Sequence, residues 1–158
     1  MRFFVQHKKS EFISLLVVLF SLTFYLFIFF SVLLKFGSNQ FFPEEIVLDI
    51  NGNLDEFIEP KELTALIENI HINLFINLIG FLSIAGILFR TLINHKLKIL
   101  LVFVGFLSIL IYPLSLLGIK FLWEGFGYLA FASFLLIIIV FFVVNSINIL
   151  SFLNGKIR

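Results

Sequence analysis

The sequence predicts an all-α membrane protein in which four transmembrane helices form an up-down bundle. Its composition is 61% hydrophobic and 13% charged, whereas soluble domains average about 45–50% apolar and about 25% charged residues. The mean hydropathy is +1.14, and four long stretches contain no charged residue. Disordered segments are poor in aromatic residues, but this chain has 24 phenylalanines. The soluble and disordered classes are therefore excluded.

The uncharged stretches place the four predicted spans. They contain 23, 21, 21 and 31 residues without Asp, Glu, Lys or Arg, and a helix needs about 20 apolar residues to cross a bilayer. The last stretch is too short for two crossings with a turn between them. We therefore predict one span there, followed by a polar tail from Asn145 to Arg158. The prediction is a single membrane domain, residues 1–158, with spans at residues 12–34, 71–93, 97–119 and 121–144.

The positions of lysine and arginine predict the orientation of the bundle. Eight of these eleven residues lie near the N-terminus, near the C-terminus, or between the second and third spans. The other three, Lys35, Lys61 and Lys120, lie on the opposite side. Cytoplasmic flanks of membrane proteins carry an excess of such cations. We therefore predict cytoplasmic termini and an outer loop, periplasmic or extracellular, at residues 35–70.

The outer loop is acidic and contains predicted elements of its own. Residues 35–70 hold two lysines and eight carboxylates, a net charge of −6. The segment Glu45–Ile50 is typical of a strand, and the Asn-Gly-Asn run at 51–53 is typical of a turn. Residues 54–58 can return as a second strand, which predicts a small hairpin. Pro60 is tolerated in a first helical turn, and the apolar spacing after it predicts an amphipathic helix leading into the second span.

Small and hydroxyl-bearing residues recur at helical spacing and predict which helix faces pack together. Small residues let helices approach closely within a bilayer. A polar translocation path is the less favoured interpretation, because such paths usually need an intramembrane charge and no span carries one in its middle. The predicted packing residues are Gly80 in the second span, Gly105, Ser108, Tyr112 and Ser115 in the third, and Gly127 and Ala130 in the fourth.

A candidate polar site is predicted where the outer ends of the spans converge. Glu68 and His71 are three residues apart, so they share one helical face. Lys120 and Glu124 lie at a similar predicted depth in the third-to-fourth connection. The favoured interpretation is an interfacial polar belt with Trp123 as an aromatic anchor. The alternative is a single metal, haem or proton site on His71 and Glu68.

The histidine and methionine positions bear on whether a cofactor is bound. His7 and His95 fall on the predicted cytoplasmic side, and Met1 is the single methionine. A haem held by two protein ligands at the level of His71 therefore lacks its second ligand. The absence of cysteine excludes disulfides and thiolate metal sites. We expect no cofactor, with haem or a metal ion at His71 and Glu68 as the alternative.

Three stretches carry a resemblance to a known group of proteins. They are the run at 51–53 with Phe57 and Pro60 after it, the segment Leu66–Phe75, and the segment Gly125–Ala130. Over residues 45–149 the chain resembles an uncharacterised group of small four-span inner-membrane proteins of proteobacteria. The resemblance implies a multi-pass protein of the bacterial inner membrane and brings no particular activity. Such proteins often show a second histidine close to the first, where this chain has Asn73.

The usual catalytic motifs are missing from the sequence. It has no GxSxG, HExxH, Walker A or GxGxxG motif, so we expect no enzyme. We expect an integral protein in the lipid bilayer that is an accessory or assembly partner of a membrane complex, or that self-associates. The alternatives are an outer-face metal- or haem-binding module on His71 and Glu68, and a small transporter or channel subunit. No nucleic-acid partner is expected, since 11 cations nearly balance 10 anions.

Overall fold

The computed structural model describes residues 3–53 and 57–154, and these residues form five α-helices. All except the short second helix contain a segment long and apolar enough to cross a bilayer. The predicted all-α fold with four spans is confirmed. The helices are α1 (Phe3–Gly37), α2 (Pro43–Asn51), α3 (Leu63–Arg90), α4 (His95–Phe121) and α5 (Phe126–Leu153).

Helix α5 is central to the bundle. It packs against α1, α2, α3 and α4, and its contact with α4 is the most extensive. Helix α3 packs against α4 and α5, and α2 lies against the same two helices. The short links at residues 91–94 and 122–125 make α3, α4 and α5 alternate in direction. Helix α1 joins the bundle mainly through α5, so α1 and α3 have no extended contact with each other.

The two ends of the bundle differ in what they carry. The loop end carries residues 38–62 and the link 122–125, and the opposite end carries the link 91–94 and the end of α5.

At the opposite end Lys98 is buried, and its Nζ donates hydrogen bonds to the carbonyl oxygens of Phe89, at 3.1 Å, and Thr91. Carbonyl groups in the last turn of a helix lack partners within the helix. Lys98 therefore stabilises the end of α3.

Aromatic rings form the centre of the core. Phe81 of α3 and Phe141 of α5 are buried, and their rings stack with centroids 5.7 Å apart and planes 7° apart. The ring of Phe24 on α1 lies 5.3 Å from that of Phe141. The cluster joins three helices at distances typical of favourable aromatic pairs. Many other large apolar side chains are exposed around the bundle, as expected of helices that contact lipid.

The predicted strand at Glu45–Ile50 is wrong, because these residues belong to α2. Pro43 occupies the first turn of this helix, where its missing N–H is harmless. The Glu45 carboxylate accepts hydrogen bonds, both at 3.0 Å, from two backbone N–H groups just before the helix. Ile46 and Ile50 lie one helical turn apart and are buried. Helix capping and burial at a helical period outweigh the strand preference of β-branched side chains.

The predicted hairpin is reduced to an isolated antiparallel bridge between Asn53 and Ile58, with both backbone hydrogen bonds at 2.9 Å. Gly52 has a φ of 71°, and a Cβ there would lie 2.6 Å from the carbonyl oxygen of Ile58. This turn therefore requires glycine. Residues 54–56 of the predicted second strand lie outside the described residues. The predicted helix after this turn is present, since α3 begins at Leu63 and continues unbroken through the span. Its predicted start is wrong, because Pro60 lies before the helix rather than in its first turn.

The fourth span is longer than the sequence predicts. The predicted polar tail from Asn145 is wrong, because α5 continues to Leu153. Asn145, Asn148 and Ser151 are buried within the bundle. The asparagines do not end the helix, because their side chains donate hydrogen bonds to neighbouring helices.

Candidate functional site

All three lysines of the loop end make contacts within the protein. Lys61 Nζ lies 2.8 Å from Asp49 Oδ2 in an ion pair whose side chains are only 21% and 30% exposed. Lys120 Nζ donates hydrogen bonds to the carbonyl oxygens of Ile50, at 3.2 Å, and Lys61, at 3.1 Å. Because Ile50 lies in the last turn of α2, Lys120 joins the end of α4 to α2 and to the segment that precedes α3.

Lys35 joins this group through a glutamine. Its Nζ donates to Gln40 Oε1 at 3.1 Å, and Gln40 Nε2 donates to Asp49 Oδ1 at 3.0 Å. Lys35 Nζ also lies 5.7 Å from the centroid of the Tyr112 ring, which is within cation–π distance. With three ammonium groups and one carboxylate, the group has a formal net charge of +2. We call its five members the lysine network: Lys35, Gln40, Asp49, Lys61 and Lys120.

The other carboxylates of the loop end are placed differently. Among the residues that the structure describes, Asp49 is the one acid that forms an ion pair. Five of the six other acids that the structure describes at this end are exposed to solvent, so the lysines face the protein while most of the described carboxylates face outward. These exposed acids are Glu44, Glu59, Glu62, Glu68 and Glu124.

An open cleft of about 540 Å³ lies at the loop end between α2 and the start of α5. Glu44 and Glu124 line it, together with Trp123 and Tyr128. The Tyr128 hydroxyl donates a hydrogen bond to Glu44 Oε1 at 3.1 Å, and Trp123 is 71% exposed. We call it the acidic cleft. Two carboxylates beside two aromatic rings suit a cationic group, through charge-assisted hydrogen bonds and cation–π contact.

Two glycines determine the shape of the acidic cleft. A Cβ at Gly127 would lie 2.9 Å from the carbonyl oxygen of Pro43, so glycine allows α5 to approach α2 this closely. A Cβ at Gly125 would lie 2.4 Å from the Trp123 ring. The indole ring therefore rests directly against the link before α5, which holds it at the edge of the cleft.

Two asparagines in the second half of α5 hold three helices together. Asn145 Nδ2 donates to the carbonyl oxygen of Ser21 on α1, and Asn148 Nδ2 donates to that of Ile84 on α3, both at 2.9 Å. Both asparagines are fully buried. Sequence reasoning missed them, although their three-residue spacing places both on one face of a helix. That spacing within an otherwise apolar run is the signal that could have found them.

A comparison with known families shows which family the chain matches. Residues 40–157 match the family designated Aq_1264_TM, which is described as a transmembrane helical domain. The chain belongs to this family. The match covers α2 to α5, including the acidic cleft and all of the lysine network except Lys35, and it begins after α1. Neither the comparison with curated proteins nor that with solved structures gives a match.

In this member of the Aq_1264_TM family the four residues of the predicted polar site have different surroundings. Glu68 and His71 are exposed on α3, and their side chains form no hydrogen bond or ion pair with other described residues. Lys120 belongs to the lysine network, whereas Glu124 lines the acidic cleft. The described residues hold no group of three or more His, Asp or Glu placed for a metal ion. A metal or haem at His71 and Glu68 stays a prediction.

Most predicted packing residues of this family member lie between its helices. Gly80 on α3 is half-buried, and a Cβ there would lie 3.1 Å from the Phe24 ring. The hydroxyl groups of Ser108 and Ser115 donate to carbonyl oxygens four residues earlier in α4, both at 2.8 Å. These serines therefore contribute small size rather than hydrogen bonds between helices. The buried packing residues are Gly105, Ser108, Tyr112 and Ser115 on α4, and Gly127 and Ala130 on α5.

Proposed function

We propose that this protein is a non-enzymatic integral protein of the bacterial inner membrane that acts as an accessory or assembly subunit of a larger membrane complex. The acidic cleft receives a segment of a partner membrane protein that is rich in lysine or arginine. One observation carries the proposal: at the loop end the three lysines contact the protein itself, while five carboxylates face solvent.

This separation of charge makes the loop end selective for a cationic partner. Lys61 and Lys120 are held by Asp49 and by backbone carbonyl groups, so they do not neutralise the exposed carboxylates. An acidic surface repels anionic lipid headgroups and attracts a cationic segment, which speeds association and disfavours wrong partners. Trp123 and Tyr128 supply aromatic faces on which a guanidinium or ammonium group can stack.

Site-specific crosslinking in the native membrane tests this proposal. A photoreactive residue in place of Trp123, which is 71% exposed at the cleft, should form an adduct with a second protein. The same residue in place of Phe103, which is 64% exposed on the membrane-spanning part of α4, should give none. Mass spectrometry of the adduct should locate the crosslink in a segment rich in lysine or arginine.

Charge reversal provides the control for the crosslinking experiment. Glu44→Lys combined with Glu124→Lys should reduce the adduct about fivefold, because exposed ion pairs contribute up to about 1 kcal/mol. Glu68→Lys changes an exposed acid that does not line the cleft, so it should leave the adduct unchanged. An adduct that the double reversal does not reduce would contradict the cleft as the docking site. An adduct between two copies of this chain would replace the accessory role with self-association.

We further infer that the loop end faces the outside of the cell, because eight of the eleven lysines and arginines flank the opposite end. Single cysteines can be placed at Ser38, Leu92 and Asn154, all of which are exposed, in a chain that has no cysteine. A membrane-impermeant thiol reagent should label only the cysteine at 38 in intact cells, and all three after permeabilisation. Labelling at 92 in intact cells would contradict this orientation.

A further inference from the structure

A groove between α1 and α3 is open to the lipid. It consists of two adjacent cavities of about 310 and about 350 Å³, and both are lined by Phe27 and Ile76. The cavity farther from the loop end is lined almost entirely by apolar side chains, among them Phe20, Phe75 and Ile79. The groove exists because α1 packs mainly against α5 and leaves its side towards α3 uncovered.

The length of the groove matches one acyl chain. Residues of α1 from Lys35 to Phe20 line it, a distance of roughly 22 Å at about 1.5 Å per helical residue. The hydrocarbon of one leaflet is about 15 Å thick, half of a core of about 30 Å. The groove is therefore somewhat longer than the leaflet at the loop end is deep, and Lys35 lies at its loop end.

The groove carries a cation at its loop end and an amide deeper along α3, near the point where the two cavities meet. Lys35 and Asn77 line the cavity nearer the loop end. Lys35 Nζ contacts the neutral Gln40 side chain and the Tyr112 ring rather than a carboxylate. The Asn77 side chain forms no hydrogen bond with other residues that the structure describes. Both groups are therefore available to a ligand in the groove.

The interior of the lysine network has no room for a ligand. The cavity among its members has a volume of only about 10 Å³, which leaves no room for a ligand headgroup there. The lysine network has a formal net charge of +2. A lipid can therefore contact this network at Lys35, which lines the loop end of the groove.

We propose that this groove binds a phospholipid with an anionic headgroup. The phosphate accepts a hydrogen bond from Lys35, and one acyl chain fills the groove between α1 and α3. Charge complementarity selects the headgroup, because Lys35 belongs to the cationic lysine network and lines the groove. The site shares no lining residue with the acidic cleft, so it is independent of the proposed partner docking.

Lipid binding to the purified, delipidated protein tests this proposal. Native mass spectrometry should show one phosphatidylglycerol bound about fivefold more tightly than phosphatidylcholine with the same acyl chains, as expected for one lysine near an anionic headgroup. Lys35→Gln should abolish this preference, and Lys35→Arg should keep it. Lys96→Gln, at an exposed lysine of the opposite end, is the matched control and should behave as wild type.

Two results would overturn the proposal: equal binding of both lipids to the wild type, or an unchanged preference in Lys35→Gln. A second variant keeps the test valid if Lys35→Gln does not fold. Ile76→Trp fills the groove at a residue that is 45% exposed, so it should abolish the binding of both lipids. Leu82→Trp, at an exposed residue of α3 that does not line the groove, should retain it. Wild-type binding by Ile76→Trp would also overturn the proposal.

Discussion

Replacing Gly105 with alanine should lower the free energy of unfolding by about 1–3 kcal/mol, the usual cost of overpacking a core. The added Cβ would lie 2.4 Å and 2.6 Å from two carbons of the Phe81 ring and 3.0 Å from Val140 Cγ1. The Phe81 ring cannot move away easily, because it is fully buried and stacked on Phe141. Helices α4 and α3 must therefore separate locally or the aromatic cluster must rearrange.

Gly86→Ala is the matched control for this substitution. Gly86 also lies within a helix, but a Cβ there would meet no atom within 4 Å. Alanine is the better helix former by about 1 kcal/mol, so Gly86→Ala should be neutral or stabilising. Thermal unfolding in detergent measures both variants. Phe81→Leu should partly rescue Gly105→Ala by removing the contacted ring carbons, and equal stabilities of the two glycine variants would show that the close contact is not there.

Asn148→Asp should lower the free energy of unfolding by about 3 kcal/mol, because a buried polar group left without its partner costs about 1–3 kcal/mol and a charged group costs more. The substitution removes the Nδ2 donor that now bonds the carbonyl oxygen of Ile84 at 2.9 Å. It also places a carboxylate oxygen against that carbonyl oxygen at a fully buried position. Both effects disfavour the contact between α5 and α3.

Two further variants separate the causes of this loss. Asn148→Leu removes the hydrogen bond without adding charge, so it should cost only about 0.6–1.7 kcal/mol. Asn39→Asp makes the same chemical change at an exposed loop residue and should stay within about 0.5 kcal/mol of wild type. Denaturant titration in mixed micelles can rank the three proteins. A loss for Asn148→Asp no larger than that for Asn39→Asp would mean that residue 148 is not buried in the membrane.

The sequence predicts those parts of the fold that depend on local composition. Long uncharged stretches are enough to place four spans, because a bilayer imposes the same length and polarity on every helix that crosses it. The sequence predicts a strand in place of α2, because Ile46, Val47 and Ile50 favour strands locally. Burial against α4 and α5, which no local pattern contains, makes the segment a helix.

The candidate site depends on contacts between residues that are distant in the chain. Local sequence patterns cannot predict such contacts. Counting charges finds Lys61 and Lys120 but does not show that both are bonded within the protein. In the same way, Asn145 looks like the start of a polar tail until its partner is known. That partner, the carbonyl oxygen of Ser21, is 124 residues away in the chain. A polar side chain in a membrane protein can be interpreted only together with what it bonds.

The central position of α5 has a consequence for biosynthesis. Chains leave the ribosome from the N-terminus, so α1, α3 and α4 enter the membrane before the helix against which each of them packs. Until α5 is inserted, the aromatic cluster lacks Phe141. The helices α1 and α3 also lack the hydrogen bonds that Asn145 and Asn148 of α5 donate to them. Independently inserted helices then associate side by side. The bundle therefore completes its core late, when α5 is inserted beside α3 and α4, which already pack against each other.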